Sequence, residues 1–542
     1  MSIWKKLKKY FVADLTVMQD SFSLGNWAEN MDNETNEEPQ RFTEGMPQIE
    51  TKTMDYGILS FNLDQNIDWI KKHFSYPQNH GLVVRRMAIG QSDLQAAIIY
   101  MDGLVNWEPL NRTVITPLMG MYIPIDAVLN EEFLMEHILT EGEISKHEKL
   151  GLIVNDILIG RAVVLVDGLN IAVIAGVQGW EKKAIDNPKT EMVVRGSQEG
   201  FTEDIQTNLS MIRRRLRTPE LIVELGQVGS ISQTDIAIVY IKSIANDDLV
   251  GEVRGRIAAI DYDYIGDSGM VEQFIEDHPN SFFPSVLSTE RPDRLSAQIA
   301  EGYVGILVNN SPFGLIVPAH FPLFLQTAED ANLRWPYGTF IRIVRQVGYF
   351  MSLYLPAFYV AIANYHMEMI PTTLILAIAG TRETVPLPVA AETVLLECMF
   401  ELIREAGVRI PGVIGPTIGI VGALILGQAA VQANIVSPIV VIITATTALS
   451  SYTIPNYNLQ FATRILRFVY LFAASFFGLV GIVLVWLILL SNRVASNSFG
   501  VPVLSPITPH LRSNDTLIRA GMKLQKYRSL SIRPKRERKM PN

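Results

Sequence analysis

The polar and apolar positions divide this chain into two textures. Charged residues crowd into roughly the first 340 positions and the last 50, and long uncharged runs lie between them. A helix needs about 20 largely apolar residues to cross a bilayer core. Gln346–Tyr365 meets this without a formal charge. Ile410–Thr463 holds 54 residues without one, enough for two spans at 413–433 and 436–454. Phe468–Ser491 adds 24 more and is the clearest span. Met369–Thr381 is apolar but only 13 residues long, and Val385–Glu405 has a helical period yet carries Glu392, Glu397, Glu401 and Glu405. These two are short, re-entrant or interfacial segments. The pattern gives four spans and allows six.

Before residue 340 the texture is that of a folded head. Leu82–Ile89 and Leu94–Tyr100 read as strands, with Asp102-Gly103 as a turn and a helix over 131–140. Arg161–Val166 and Asn170–Ala175 flank Asp167-Gly168, a strong hairpin signal. Helices are expected at 202–217, 246–259 and 268–277, and a strand within Val228–Tyr240. The segment 302–318 is apolar enough to tempt a transmembrane assignment, but Asn309-Asn310-Ser311-Pro312 breaks it. It echoes the earlier hairpin, AVVLV-DGLN-IAVIA against VGILV-NNSPF-GLIVP, and is read as strand-turn-strand.

The expected fold class is therefore an α/β cytoplasmic head of two subdomains followed by a polytopic α-helical membrane domain of four to six segments. The boundaries are 1–50 for a basic start and acidic linker, 51–145 and 146–330 for the head subdomains, 331–491 for the membrane domain and 492–542 for a basic tail. Residues 26–50 have too few apolar side chains to offset ordering entropy.

Charge and cysteine usage orient this layout. The single cysteine, Cys398, excludes an intrachain disulfide framework. Net charge is −9, yet from Arg512 onward ten Lys/Arg face two Asp/Glu, and Lys5, Lys6, Lys8 and Lys9 crowd the start. Basic clusters beside membranes favour the cytoplasmic side. No apolar run of signal-peptide type follows the first lysines. A head and tail on the same side require an even number of spans.

No phosphate loop, nucleophile elbow or H-E-x-x-H motif is present, and the eight histidines lack metal-ligand spacing. The chain reads as a non-enzyme without cofactor or metal. The arginine run at 213–217 reads as a salt-bridged helix face, with no nucleic-acid partner.

Three features of the membrane region are candidates for function. Gly415, Gly419 and Gly422 share a helix face and permit close helix packing. If that helix lines a pathway, Val421 and Leu424 are candidates for a constriction that gates by dewetting. Glu392, Glu397 and Glu401 are the alternative pore residues, because ionisable groups in a bilayer are costly and acidic rings in an oligomer favour cations. The bland reading of the glutamates is an interfacial helix in headgroup water, with the glutamates partly paired with Arg404 and Arg409. A Thr-rich helix at 444–453 reads equally as a pore-facing stripe or as hydroxyls bonded to their own backbone.

Several long segments together resemble one family. They are EGFTEDIQTNLSMIRRR (199–215), TERPD (289–293), EGYVGILVNNSPFGLIVP (301–318), YLPAFYVAIANYHMEMIPTTLILAIAGTRETVPLP (354–388), FELIREAGVRIP (400–411) and GIVGALILGQAAVQANIVSPIVV (419–441). Over roughly residues 57–520 the chain resembles the A subunits of GerA-type spore germinant receptors. The stretch 187–200 and AEDANL at 328–333 depart from the family pattern. The resemblance implies a multi-pass protein of the spore inner membrane, with head and tail on the core side. It implies a transporter-like B subunit, a lipoprotein C subunit and a homo-oligomer, a pentamer, conducting monovalent cations when a nutrient binds. A non-conducting receptor scaffold and a sporulation paralogue that amplifies ion release are the alternatives. A secondary transporter would show a broken-helix repeat, which the sequence lacks.

Overall fold

The computed structural model describes residues 56–90, 94–120, 135, 142–179, 187–409, 427–508, 515–516 and 518–539. The helix expected over 131–140 lies outside them apart from Met135.

The head is one unit used twice. The first copy runs α1 (Leu63–His73), β1 (Leu82–Ala88), β2 (Gln95–Met101), β3 (Ile144–His147), α2 (Leu150–Leu158), β4 (Ala162–Val166) and β5 (Ala172–Ala175). The second runs α3 (Ile205–Arg215), β6 (Leu221–Val228), β7 (Thr234–Ile241), α4 (Asp247–Ala258), α5 (Ser268–Ile275), β8 (Leu287–Thr289), α6 (Pro292–Glu301), β9 (Val304–Val308) and β10 (Gly314–Val317). The sheets have equivalent strand orders, β1-β2-β4-β5-β3 and β6-β7-β9-β10-β8, and all pairs are antiparallel.

The repetition reaches single hydrogen bonds. Ser60 N–H donates to Asn66 Oδ1 (2.9 Å) and Asn66 Nδ2 donates back to the Ser60 carbonyl (2.6 Å). Thr202 and Asn208 make the same exchange at 2.8 and 2.6 Å. Asn62 and Asp204 cap α1 and α3. The turns of the β4–β5 and β9–β10 hairpins reach the same helix starts, where Asp167 accepts from Leu63 N–H (3.1 Å) and Asn309 from Ile205 N–H (3.2 Å). Every pair is offset by 142 residues. The first N–H groups of a helix lack intrahelical acceptors, so each clasp satisfies donors that would otherwise be stranded.

β4 and β5 complete the first sheet, so the first half of the head extends to Ala175 rather than ending at 145. The expected strand within 228–240 is the end of β6, a turn at Gly229 (φ 88°) and then β7. Each sheet is covered on both faces. In β7, Ala237, Val239 and Ile241 face one cluster while Ile236, Ile238 and Tyr240 face the other. Such strands read as continuous apolar runs.

The C-terminal region is helical: α7 (Trp335–Tyr365), α8 (Thr372–Arg382), α9 (Val389–Arg409), α10 (Pro438–Ser451) and α11 (Tyr457–Ala495). α7 and α11 are long and apolar enough to cross a membrane. α11 is two helices in succession, because Gly478 has φ 60° and ψ −141°. Near its start Asn458 bonds Glu272 on α5 (3.1 Å), and near its end Arg493 lies over the Phe283 ring at 3.5 Å. Ser285 in turn donates to Glu276, so both ends reach one corner of the head. A straight helix of 39 residues would hold its ends about 58 Å apart. The chain therefore folds back at Gly478, and a methyl group on Gly481 would strike the Ala473 carbonyl.

The partners fix helix direction. Ser352 meets Arg467, Tyr354 meets Tyr470 and Tyr365 meets Ser475, so α7 and the first half of α11 run together, away from the head. Val389 packs with Val360 and Leu471, whereas Glu401 meets Arg464, so α9 runs back toward the head. α10 follows α9, with Val440 beside Leu396 and Ser451 bonded to Arg404. One apolar cluster passes from the second sheet into the bundle, from Leu307 through Tyr349 and Leu353 to Ile482.

The tail lies on the second half of the head. Arg519 donates to the Leu333 and Ala331 carbonyls, Arg528 to the Ala300 carbonyl, and Lys535 pairs with Asp247.

Candidate functional site: a carboxylate seam inside the bundle

α9 carries Glu392, Glu397 and Glu401 along a seam that crosses the bundle. The three are five and four residues apart; Glu392 faces α8 and the start of α10, and Glu397 and Glu401 both face α11. At the far end Glu392 is fully buried; it accepts from Ser437 N–H at the start of α10 (2.9 Å) and pairs with Arg382 of α8 (3.3 Å). In the middle Glu397 pairs with Arg467 of α11 at 2.7 Å. Arg467 also donates to the Ser352 carbonyl (2.8 Å) and Oγ (3.0 Å) on α7. Toward the head Glu401 sits between Arg404 (3.3 Å) and Arg464 (3.7 Å). Glu405 is exposed. An isolated charge could not be held here, because desolvating a carboxylate costs several kcal/mol unless a cation and hydrogen bonds offset it.

Sequence reasoning singled out these glutamates but missed Arg382, Arg464, Arg467 and Ser352. One signal was available: Arg464 and Arg467 interrupt the apolar run at the mouth of the strongest span. The Thr-rich helix is α10, and Thr444, Thr446 and Thr447 all donate to carbonyls four residues back in their own helix. Val421, Leu424, Gly415, Gly419 and Gly422 lie outside the described residues.

A second charged cluster joins the bundle to the head. Asp330 is fully buried and receives Arg342 (3.0 Å) and Arg345 (2.8 Å) from the first turns of α7. Burial works against the Asp330 carboxylate, but the two guanidiniums prevail and hold it below the usual range. Arg342 also reaches the Thr516 carbonyl, so head, tail and α7 meet at one point.

A family described as "Bacillus/Clostridium GerA spore germination protein" matches residues 68–531, which takes in both the head and the bundle. The chain belongs to the GerA family. Among its relatives, spore germination protein KA of Bacillus subtilis (strain 168) is 39% identical over 456 residues, covering 83% of each chain. Spore germination protein GerLA of Bacillus cereus is 38% identical over 451 residues, covering 83% of this chain and 91% of the relative. The N-terminal domain of the A subunit of the Bacillus megaterium spore germinant receptor GerK3 is 32% identical, with 49% of this chain and 98% of that one covered at a TM-score of 0.37. In this GerA-family chain the carboxylate seam belongs to the bundle, and the doubled sheet unit belongs to the head.

Proposed function

We propose that this chain is the A subunit of a spore germinant receptor, acting in an oligomeric, nutrient-gated cation channel of the spore inner membrane. The supporting observation is the GerA match over residues 68–531, because it covers the apolar bundle as well as the head. A transporter-like B subunit would sense the nutrient and a lipoprotein C subunit would complete the receptor. Nutrient binding would favour one of two states of the assembly, and only a difference in contacts between those states can open a pathway.

In this reading the bundle crosses the membrane six times. α7 and the first half of α11 run outward, and α9, α10 and the second half of α11 run inward. α9 ends toward the head while α10 begins at the far end, so the chain between them joins opposite ends. Six is even, which leaves head and tail on the core side. Glu392, Glu397 and Glu401 set the preference for cations, Val421 and Leu424 form the constriction, and Gly415, Gly419 and Gly422 let the helix that carries it pack closely.

The arginine partners of the glutamates favour a second reading, in which the seam only holds the bundle together and the chain is a non-conducting scaffold. The deciding experiment measures potassium release from dormant spores with and without the gene, across amino acids and sugars, and then cation flux through purified protein in liposomes. Loss of early release for particular nutrients supports the receptor. Slowed release for every nutrient would indicate an amplifying paralogue, and absence of flux under all activating conditions would remove the channel.

A further inference from the structure

Arg404 on α9 and Arg464 on α11 share one carboxylate, Glu401, at 3.3 and 3.7 Å. Their other contacts are few: Arg404 donates to Ser451 Oγ and Arg464 to Gln460 Oε1, both at 3.2 Å. A guanidinium has five N–H donors. Each of these has a buried Nε with no partner among the described residues, and the Arg404 side chain is only 8% exposed. Two largely buried guanidiniums share Glu401 and keep donors free for a further acidic acceptor.

The surroundings indicate which acceptor. Arg404 lies over the Tyr452 ring at 5.1 Å and Arg464 over the Phe461 ring at 4.6 Å, so aromatic faces hold both guanidinium planes. Tyr452 is 63% exposed. The pair sits toward the head end of the bundle, where α10 closes and α11 opens, the level at which tyrosines mark a membrane–water interface. Paired guanidinium forks match the oxygens of a phosphate, and basic pockets between membrane helices on the cytoplasmic side take anionic headgroups. Glu405, the residue after Arg404, is exposed.

We infer that Arg404 and Arg464 form a binding site for the phosphate of an anionic phospholipid headgroup. The inference rests on the reading that the bundle spans a membrane. Inorganic phosphate shares the chemistry, and the test separates the two sources.

The full-length chain is reconstituted in phosphatidylcholine alone, in phosphatidylcholine with phosphatidylglycerol, and in phosphatidylcholine with inorganic phosphate in the bath. Retained lipid is counted by native mass spectrometry and the melting temperature is recorded. Phosphatidylglycerol is expected to be retained and to raise the melting temperature. Arg464→Gln should weaken that retention about tenfold, the scale of one charge-assisted contact. Glu401→Gln should strengthen it, a direction that general loss of structure does not produce. Equal phosphatidylglycerol retention by wild type and Arg464→Gln would overturn the site, as would weaker retention by Glu401→Gln. Stabilisation by inorganic phosphate as large as by the lipid would overturn the lipid assignment. Failure to insert into phosphatidylcholine vesicles at all would instead sink the membrane reading on which the site depends.

Discussion

Glu397 Oε2 and Arg467 Nη1 stand 2.7 Å apart with both side chains 1% exposed, and the same guanidinium holds Ser352 on a third helix. α7, α9 and α11 are thus pinned at one level by a single charge pair. Any motion of α9 against α11 must break it or carry it along.

Removing one partner leaves an uncompensated charge in the bundle. Glu397→Ala or Arg467→Ala should each destabilise by about 3–5 kcal/mol, whereas the apolar double replacement Glu397→Leu/Arg467→Met should recover most of the loss. Thermal melting of the detergent-solubilised chain reads this directly. A single-site loss no larger than that of the double replacement would show that the pair is not coupled.

The local parts of this fold are legible in the sequence and the distant ones are not. Asp167-Gly168 and Asn309-Asn310 mark the two hairpins because turn chemistry is local. The echo between those hairpins is the visible trace of the doubled unit. The division at 145 failed because β3 pairs with β5 and β4 with β2, and nothing local records which strands meet. Glutamates in an apolar helix mark α9 as unusual, yet Arg467 lies 70 positions later, so the sequence offers water, a pore and an ion pair alike.

The two head clasps should behave alike. Asn66 and Asn208 are both buried, and each satisfies a backbone N–H and a carbonyl at a helix start. Changing either to Ala leaves both groups unpaired, at a cost of about 1–3 kcal/mol. Urea unfolding should show similar losses for the two, and a negligible loss at one would break the equivalence of the halves.

Stability of the head corner beside α11 should fall as pH rises. Burial, and then the neighbouring Glu276, push the Glu272 carboxyl up to about 8 from an ordinary 4.5, although the Asn458 hydrogen bond pulls the other way. The folded protein holds this proton more tightly than the unfolded chain does. Its contribution is therefore full below about pH 4.5 and is lost as pH climbs through about 8. Glu272→Gln should flatten the dependence of the melting temperature on pH between 5 and 8.5. An unchanged slope would show that Glu272 ionises normally.

Helix directions predict which side of the membrane each connection reaches. Glu368 follows the outward end of α7, and Asn434 precedes α10 at the same end, where Thr384 bonds it at 3.1 Å. Asn497 follows the inward end of α11, where Ser498 bonds both the Ser285 carbonyl and Ala319 N–H of the head. With Cys398 changed to Ser, single cysteines at 368 and 434 should react with an impermeant maleimide from the side opposite the head. A cysteine at 497 should react only from the head side. The Gly478 turn makes the result sharp, because it returns the chain to the head that α11 left. A straight α11 would place 497 on the same side as 368. Labelling of 368 and 497 from one side would therefore refute the fold-back, and with it the six-crossing arrangement.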